Sequence, residues 1–508
     1  MARRGWMIGL GASALTALGG LAAHDRLQKS HSVLRNYPVL GRGRYLMEAI
    51  RPELQQYFIE RDVDGRPFDR NARSLIYQRA KGVADVTPFG TERDVDSIDY
   101  EWLVHSMTPK PMPDAPPRVR IGGPDCTRPY DMSLFNVSGM SFGALSANAV
   151  LAMNHGAALG GFAQDTGEGG LSDHHLAHGG DLVWEIGTGY FGARNENGEF
   201  DPDQFARQAA HEQVKMIELK LSQGAKPGLG GVLPGAKVSE EIAAVRMVPP
   251  GETCVSPAAH RAFSTPVELI EFIARLRELS GGKPTGFKLC VGSRTQVLAL
   301  CKAMHEVGTT PDFIVVDGSE GGTGAAPLEF EDHVGMPLTQ GLLTVQNALV
   351  GAGLRDTIRL GASGKISAGN DVVRRLIQGA DFTSSARAMM MAVGCIQAQR
   401  CHTDTCPVGV TTQDPRRTKA LVVEEKSVRV QRYHESTVHQ ALRLMASMGV
   451  SDPSQLRPEM LRRNLSKQES RSYAELHQWL APGELLNQPP EEWAADWANA
   501  DPHSFAAS

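Results

Sequence analysis

Three of the chain's seven cysteines fall in one short stretch, "GCIQAQRCHTDTCPVGV" from Gly394 to Val410. They are Cys395, Cys401 and Cys406, with Pro407 directly after the last; Cys126, Cys254, Cys290 and Cys301 are scattered. Thiolates are soft ligands, and three on a tight loop suit an iron–sulfur centre. A zinc site wants a fourth ligand, which His402 offers as a Cys3His set. Three free thiols on an ordinary loop are the remaining reading. An odd cysteine count in so long a chain does not match a secreted disulfide framework, and a reducing compartment is expected.

A second group of residues has the make-up of an anion site. "GASGKISAGNDVV" and "GADFTSSARAMM" place Gly361, Gly364, Ser384, Ser385 and Arg387 in and after two successive apolar runs. Backbone N–H groups of Gly-rich turns and a short helix start hold ligand phosphates at such places, although either loop alone would pass as an ordinary turn. Lys288 stands inside the apolar run "GFKLCVGS". An ammonium is costly to bury there unless an anionic ligand or a structural ion-pair partner meets it. "DGSEGGTGAAP" carries four glycines between Gly318 and Gly324, which leaves room for a flat ring or a substrate against backbone. The sequence shows no convincing GxGxxG strand–turn–helix opening, so electrons are expected from a donor other than a nicotinamide bound in such a domain.

These residues need elements to position them. Eight apolar runs recur from about Met132, each ending in small or functional residues: "SLFNVSGMSFG", "GGFAQDTGEGG", "DLVWEIGTGYFG", "VKMIELKLSQGAKPG", "GFKLCVGS", "DFIVVDGSEGGTG", "IRLGASGKI" and "DFTSSARAM". Helix-like segments lie between them, such as "TPVELIEFIARLRELSGG", with Thr265 as cap and Gly281 as stop. Strand and helix alternating eight times predict an α/β fold, the (β/α)8 barrel; doubly wound sheets rarely reach eight such units. The chemistry then belongs at the C-terminal ends of the strands.

The 508 residues are 41% hydrophobic and 21% charged, enough for a large buried core. A net charge of −5 argues against a nucleic-acid partner held by a global basic field. The expected organisation is a hydrophobic segment at 1–24, a helical or irregular extension at 25–130, the barrel at 131–450 with its cysteine loop at 395–406, and a tail at 451–508 packed on the surface or mobile. Trp6 to Ala23 carries no acidic or basic residue and is just long enough to span a bilayer; a cleaved signal peptide is its rival. The basic flank of Arg26, Lys29, Arg35, Arg42 and Arg44 places the main body on the cytoplasmic side of a membrane anchored by that segment.

From Asn136 to Gly449 the sequence resembles the flavin-binding synthase domain of glutamate synthase, and more closely its stand-alone, membrane-associated relatives. The resemblance rests on "GMSFGALS" (Gly139 to Ser146), "TGEGG" (Thr166 to Gly170), "QGAKPG" (Gln223 to Gly228), "LPGAKVSEEIAAVR" (Leu233 to Arg246), "DGSEGGTGA" and "CPVGVTTQ", in that order. It implies FMN at the barrel mouth, contacted by Met140, Ser141, Gly143, Lys288, Gly321 and Gly322, with the phosphate at the Gly361 to Arg387 group. Gln223, Lys226 and Arg246 fall where the family holds the 2-oxoglutarate carboxylates; arginine suits a two-pronged carboxylate contact and lysine a point charge. Glu168 matches the glutamate facing the ammonia entry. With Lys288 beside the flavin, it makes up the catalytic pair. Cys395, Cys401 and Cys406 match the ligands of a 3Fe–4S cluster that passes electrons from an external donor, a ferredoxin or a reductase subunit.

The resemblance therefore implies an oxidoreductase that reduces 2-iminoglutarate, formed from 2-oxoglutarate and ammonia, to L-glutamate. The chain opens "MARRGW" without a glutaminase cysteine, so ammonia or another amine is expected in place of glutamine. "KPGLGGVLPG" carries Leu229 and Val232 where the family often has a carboxylate and an amide, and "LSDHH" follows "TGEGG" where an acidic pair is usual. The apolar Leu229 and Val232 favour an alkylamine as alternative nitrogen source, giving an N-alkylglutamate. A further alternative is a membrane-tethered electron-transfer subunit without synthase chemistry.

Overall fold

The computed structural model describes residues 2–506, with side-chain surroundings from residue 13 on. Eight parallel strands close into one barrel in chain order: β1 Phe135–Val137, β2 Gln164–Asp165, β3 Leu182–Ile186, β4 Val214–Lys220, β5 Thr285–Leu289, β6 Phe313–Asp317, β7 Arg359–Ser363 and β8 Phe382–Ser385. Each comes from one of the eight apolar runs, so the (β/α)8 barrel read from the sequence is the fold. Strands of a barrel sheathed in helices are covered on both faces, which is why β3 and β5 are buried throughout and show no polar alternation.

The base of the barrel is apolar. An antiparallel hairpin, Arg118–Ile121 with Tyr130–Ser133, closes that end. Its Ile121 and Met132 pack with Ala163, Val183, Met216, Phe313, Val315 and Phe382. Charge is thereby displaced to the opposite end.

The helices follow local signals. In Pro266–Leu279 the Thr265 hydroxyl accepts the Glu268 N–H (3.2 Å) and the Glu268 carboxylate accepts the Thr265 N–H (3.2 Å), a reciprocal cap. The 25-residue helix Val423–Ser447 packs against Ala147–Gly160. A Cβ at Gly156 would stand 2.7 Å from the Val430 side chain, so the approach needs glycine.

The tail is surface-packed. Glu101–Leu103, Leu461–Asn464 and Ser470–Ser472 form a three-stranded antiparallel sheet. The last helix, Glu491–Asn499, lies along Arg294–Val307: Thr295 donates to Asp496 (3.1 Å), Lys302 donates to the Ala500 carbonyl (2.8 Å), and the Arg294 guanidinium covers the Trp493 ring at 4.6 Å.

Residues 1–70 form a separate compact unit. It holds the helices Ala2–Leu27, Ser32–Asn36 and Arg42–Leu54, the last continuing into a π-turn at Gln55–Ile59. Asp25 is fully buried there, accepting from Arg42 Nε (3.0 Å) and the Val39 N–H (3.0 Å). Among the described residues no helix is long and apolar enough to cross a membrane. The side chains of Trp6 to Gly11 and Ala12 in the expected spanning segment lie outside the described residues.

Candidate active site

The strand ends bring five carboxyl groups and two lysines together inside the barrel mouth. Asp165 (β2), Glu185 (β3) and Glu218 (β4) are all buried, and each offers an oxygen within 4.8 Å of the others. Glu185 and Glu218 are direct cross-strand neighbours, and so are Lys220 and Lys288. Like charges in such positions repel, so the two pairs are stable only interleaved. The Lys288 ammonium fills the space between the acids, in contact with Glu185 Oε2, 3.2 Å from Glu218 Oε1 and 3.7 Å from Asp165 Oδ2. Lys220 continues the chain, 3.6 Å from Glu185 Oε1 and 3.3 Å from Glu168 Oε2. The row therefore runs Glu168, Lys220, Glu185, Lys288, then Glu218 with Asp165.

Burial sorts these groups. It pushes the Asp165 carboxyl up to about 6, with Glu185 adding to the effect and Lys288 opposing it. Burial also raises Glu218 well above the usual carboxylate range, against the pull of Lys288. At Glu185 burial is outweighed by Lys288 and Lys220, which hold the carboxylate below its ordinary value. Burial works against the Lys288 charge, but Glu185, Glu218 and Asp165 override it and raise the ammonium. Asp317, at the end of β6, is raised by burial and accepts the Gly224 N–H (2.8 Å).

The loops of the sequence motifs sit on this cage. Gly139 opens the "GMSFG" loop directly above it: a Cβ there would meet Glu185 Oε2 at 2.6 Å, Asp165 Oδ2 at 2.9 Å and Lys288 Nζ at 3.0 Å. Gly167 (φ 66°) lies against the Met140–Ser141 peptide, where a Cβ would stand 2.4 Å from Ser141 N. Arg246, buried at the end of the helix Glu240–Arg246, donates from Nη2 to Ser141 Oγ (3.2 Å) and the Phe142 carbonyl (3.1 Å) and covers the Phe191 ring at 5.0 Å. Its Nε is buried without a partner, a donor for which an incoming acceptor is the natural complement. Gly143 and Gly169 flank the same guanidinium.

Lys226 is 3% exposed and ties the loop after β4 to the loop after β6 by donating to the Ala325 carbonyl (2.7 Å); burial lowers its ammonium, with Glu168 partly offsetting this. Gln223 begins that loop, half-buried. Glu168 closes on the same loop, since a Cβ at Gly231 would stand 1.8 Å from its Oε1. Leu229 and Val232, on either side of this contact, are 36% and 42% exposed.

On the opposite wall, Gly364 (φ 145°) follows β7, and Ser384 and Ser385 end β8. The Ser385 hydroxyl donates to the Ile366 carbonyl (2.7 Å). Arg387 donates to the Glu320 carbonyl (2.6 Å) beneath Gly322, whose Cβ would meet the Arg387 side chain at 2.7 Å; Gly321 donates to the Gly318 carbonyl (2.8 Å). Gly361 stands apart from this group, inside β7, where a Cβ would strike the Phe382 ring at 2.6 Å.

Cys406 is buried, and Cys395 and Cys401 are half-buried. Burial raises the Cys395 thiol to about 12 and also raises Cys401. At Cys406 burial is outweighed by the Thr411 hydroxyl and the N–H groups of Thr411, Val408 and Val410, which lower it and suit a thiolate. The loop bends through left-handed conformations at Gln397, Gln399 and Asp404. The three sulfurs are not gathered within 4.8 Å of one another, a property that among the described residues belongs to the carboxylates alone. A preassembled tetrahedral zinc site, with Zn–S of about 2.3 Å, would hold them at roughly 3.8 Å. His402 is exposed. The three thiols thus share one loop, with Cys406 the one whose surroundings favour a thiolate.

Sequence reading did not single out Asp165, Glu185, Glu218, Lys220 or Asp317. Their signal was acids and lysines placed within otherwise apolar strands, "FAQD", "LVWEI" and "VKMIELK". Lys237 was also passed over: it is 2% exposed and donates to the Ala144 carbonyl (2.8 Å) and the Cys401 carbonyl (3.3 Å), joining the "GMSFGALS" loop to the cysteine loop.

A closed eight-stranded barrel with reactive charge gathered at its C-terminal mouth defines the general class, a (β/α)8-barrel enzyme. Within that class the chain belongs to the glutamate synthase family and is an oxidoreductase: residues 127–451 match the conserved region in glutamate synthase. It is 39% identical over 489 residues to the glutamate synthase large subunit-like protein YerD of Bacillus subtilis, covering 88% of this chain and 93% of that one. It is 34% identical over 322 residues to the archaeal glutamate synthase [NADPH] of Methanocaldococcus jannaschii, across 63% of this chain and 60% of that protein. The glutamate synthase [NADPH] large chain of Bacillus subtilis is 36% identical over 295 residues, which make up 18% of its length.

Proposed function

We propose that the protein is an FMN-dependent, glutamate synthase-like oxidoreductase that reductively aminates 2-oxoglutarate with ammonia or an amine. The observation that carries this reading is the position of Glu168. It touches the substrate loop at Gly231 and is joined through Lys220 to the cage beneath the "GMSFG" loop. A carboxylate so placed moves a proton at the imine nitrogen while its oxygens stay fixed by Lys220. Arg246 and Lys226, with Gln223, orient the keto-acid carboxylates; the unpartnered Arg246 Nε is the donor left for one of them. The strand ends fit FMN: Gly364, Ser384, Ser385 and Arg387 would hold its phosphate, and Met140, Ser141, Gly143, Gly321, Gly322 and Lys288 its ring and chain. When bound, the flavin supplies the hydride for the imine carbon. Cys395, Cys401 and Cys406 would hold a 3Fe–4S cluster fed by a ferredoxin or a reductase subunit, and the N-terminal segment attaches the protein to a membrane with the barrel on the cytoplasmic side.

Absorbance, iron and sulfide analysis of anaerobically purified protein, followed by amination assays, tests this reading. Arg246→Ala is expected to abolish amination while flavin stays bound; undiminished turnover would remove Arg246 from the substrate site. Cys401→Ser is expected to lose iron and keep flavin, and full iron content in that variant would exclude the cluster.

The exposed apolar Leu229 and Val232 beside Glu168 favour a second reading, an alkylamine as nitrogen donor. Turnover with methylamine exceeding that with ammonia would select it.

A further inference from the structure

We propose that Asp165 and Glu218 hold a shared proton and pass it through Lys288, Glu185 and Lys220 to Glu168, so that the charged cage inside the barrel mouth is the proton store for imine reduction. This rests on the reductive-amination reading for its use, but the store itself is a property of the fold.

Charge balance makes the first argument. Five carboxyl groups, Asp165, Glu168, Glu185, Glu218 and Asp317, face two ammonium groups inside the cage, Lys220 and Lys288, with Lys226 acting on Glu168 and Arg387 on Asp317 from its edge. His260, whose ring nitrogens contact the Lys220 carbonyl (2.9 Å) and the Tyr190 hydroxyl (3.0 Å), is held neutral at neutral pH by burial and brings no further charge. Even with both edge cations counted, full ionisation would set five negative charges against four positive ones, and a buried excess of that kind is relieved by binding a proton. Glu185 is the carboxylate that stays ionised, because each of its oxygens faces a lysine. Asp165 uses Oδ1 to accept the Gly167 N–H (2.9 Å), and its other oxygen faces the acids and Lys288. Glu218 Oε1, 3.2 Å from Lys288, makes no hydrogen bond. Two acids placed this way, with one cation between them, hold a proton rather than two full charges.

Connectivity makes the second argument. Glu185, ionised at rest, first takes a proton on Oε2 from Lys288 Nζ as Lys288 takes that of Glu218. Rotation of the protonated Glu185 carboxyl then carries that proton to Lys220 Nζ, 3.6 Å away, as Lys220 gives one to Glu168 Oε2 across 3.3 Å, so both lysines end as ammonium. The balance closes: reducing a C=N bond to an amine takes two electrons and two protons. The electron pair and one proton arrive together as hydride on carbon, the second proton passes from Glu168 to nitrogen, and the external donor supplies both electrons. The store refills from solvent between turnovers.

Infrared spectroscopy of the purified protein without substrate reads the store directly. At neutral pH the wild-type protein is expected to show a carboxylic-acid carbonyl band that disappears in Asp165→Asn/Glu218→Gln. The absence of that band, or its persistence unchanged in the double variant, would overturn the proposal. Single-turnover reoxidation of reduced protein by 2-oxoglutarate with ammonia reads the relay. Glu218→Gln and Lys220→Met are each expected to slow it about a hundredfold, with flavin affinity unchanged and the solvent isotope effect altered. Wild-type rates in both would refute the relay. If the wild-type protein shows the band but turns over no imine, the reductive-amination reading fails and the store stands.

Discussion

Asp165 is where the energetics of the cage are most exposed to measurement. Its carboxyl ordinarily titrates near 3.8 and in the fold near 6, so the folded protein binds this proton more tightly than the unfolded chain. The stability it contributes is fully present below the ordinary value and is lost as pH rises through about 6. A shift of that size corresponds to roughly 3 kcal/mol. Melting temperatures across the acid range are therefore expected to show wild type losing stability relative to Asp165→Asn as pH rises from about 4 to above 6. Parallel curves would mean that the group binds its proton equally well in the folded and unfolded states. Glu185 works in the opposite sense, because its folded value is depressed by Lys288 and Lys220 after burial is overcome. Its contribution is lost as pH falls, so the two acids limit the stable range from opposite sides.

Loops and strands carry the next level of argument, and two glycines separate packing from chemistry. Gly224 lies against backbone: a Cβ would stand 1.8 Å from the Gly318 carbonyl oxygen, so the loops after β4 and β6 would have to part. Gly224→Ala is expected to cost about 1–3 kcal/mol, read from denaturant midpoints. At Gly231 the obstacle is the end of the Glu168 side chain, which can swing away. Gly231→Ala is expected to keep the midpoint and lose most turnover; equal loss of stability in both variants would remove Glu168 from its assigned place. All eight strands were legible as apolar runs because barrel strands buried on both faces have no polar side to confuse the pattern. Motif spacing singled out Arg246 and Lys226, and the fold buries both among the mouth loops. The cage was not, because an acid inside an apolar run looks the same whether it faces the barrel interior or the outer helices. Only the register that sets Glu185 beside Glu218 and Lys220 beside Lys288 shows the difference. Gly361 shows the reverse problem: "GASG" reads as a loop from its first residue, yet the strand runs on to Ser363 and keeps that glycine in the wall.

Across the molecule, the barrel and its tail are one compact unit and residues 1–70 another, which lets attachment and chemistry be tested apart. A chain beginning at residue 71 is expected to leave the membrane fraction of cell lysates while keeping flavin and turnover, with the whole chain sedimenting with membranes. Recovery of the whole chain in the supernatant would dismiss the attachment role of the N-terminal helix.

Charge is also distributed unevenly around the barrel mouth. Acids and lysines occupy β2 to β6, whereas the β7, β8 and β1 side presents hydroxyls, with Ser138 and Ser363 3.2 Å apart and Ser384 and Ser385 beside them. A planar ring lying across the mouth would therefore rest in a standing electric field directed along its plane, set before any substrate arrives. Replacing one acid would tilt that field, and the colour of a bound chromophore would report the change.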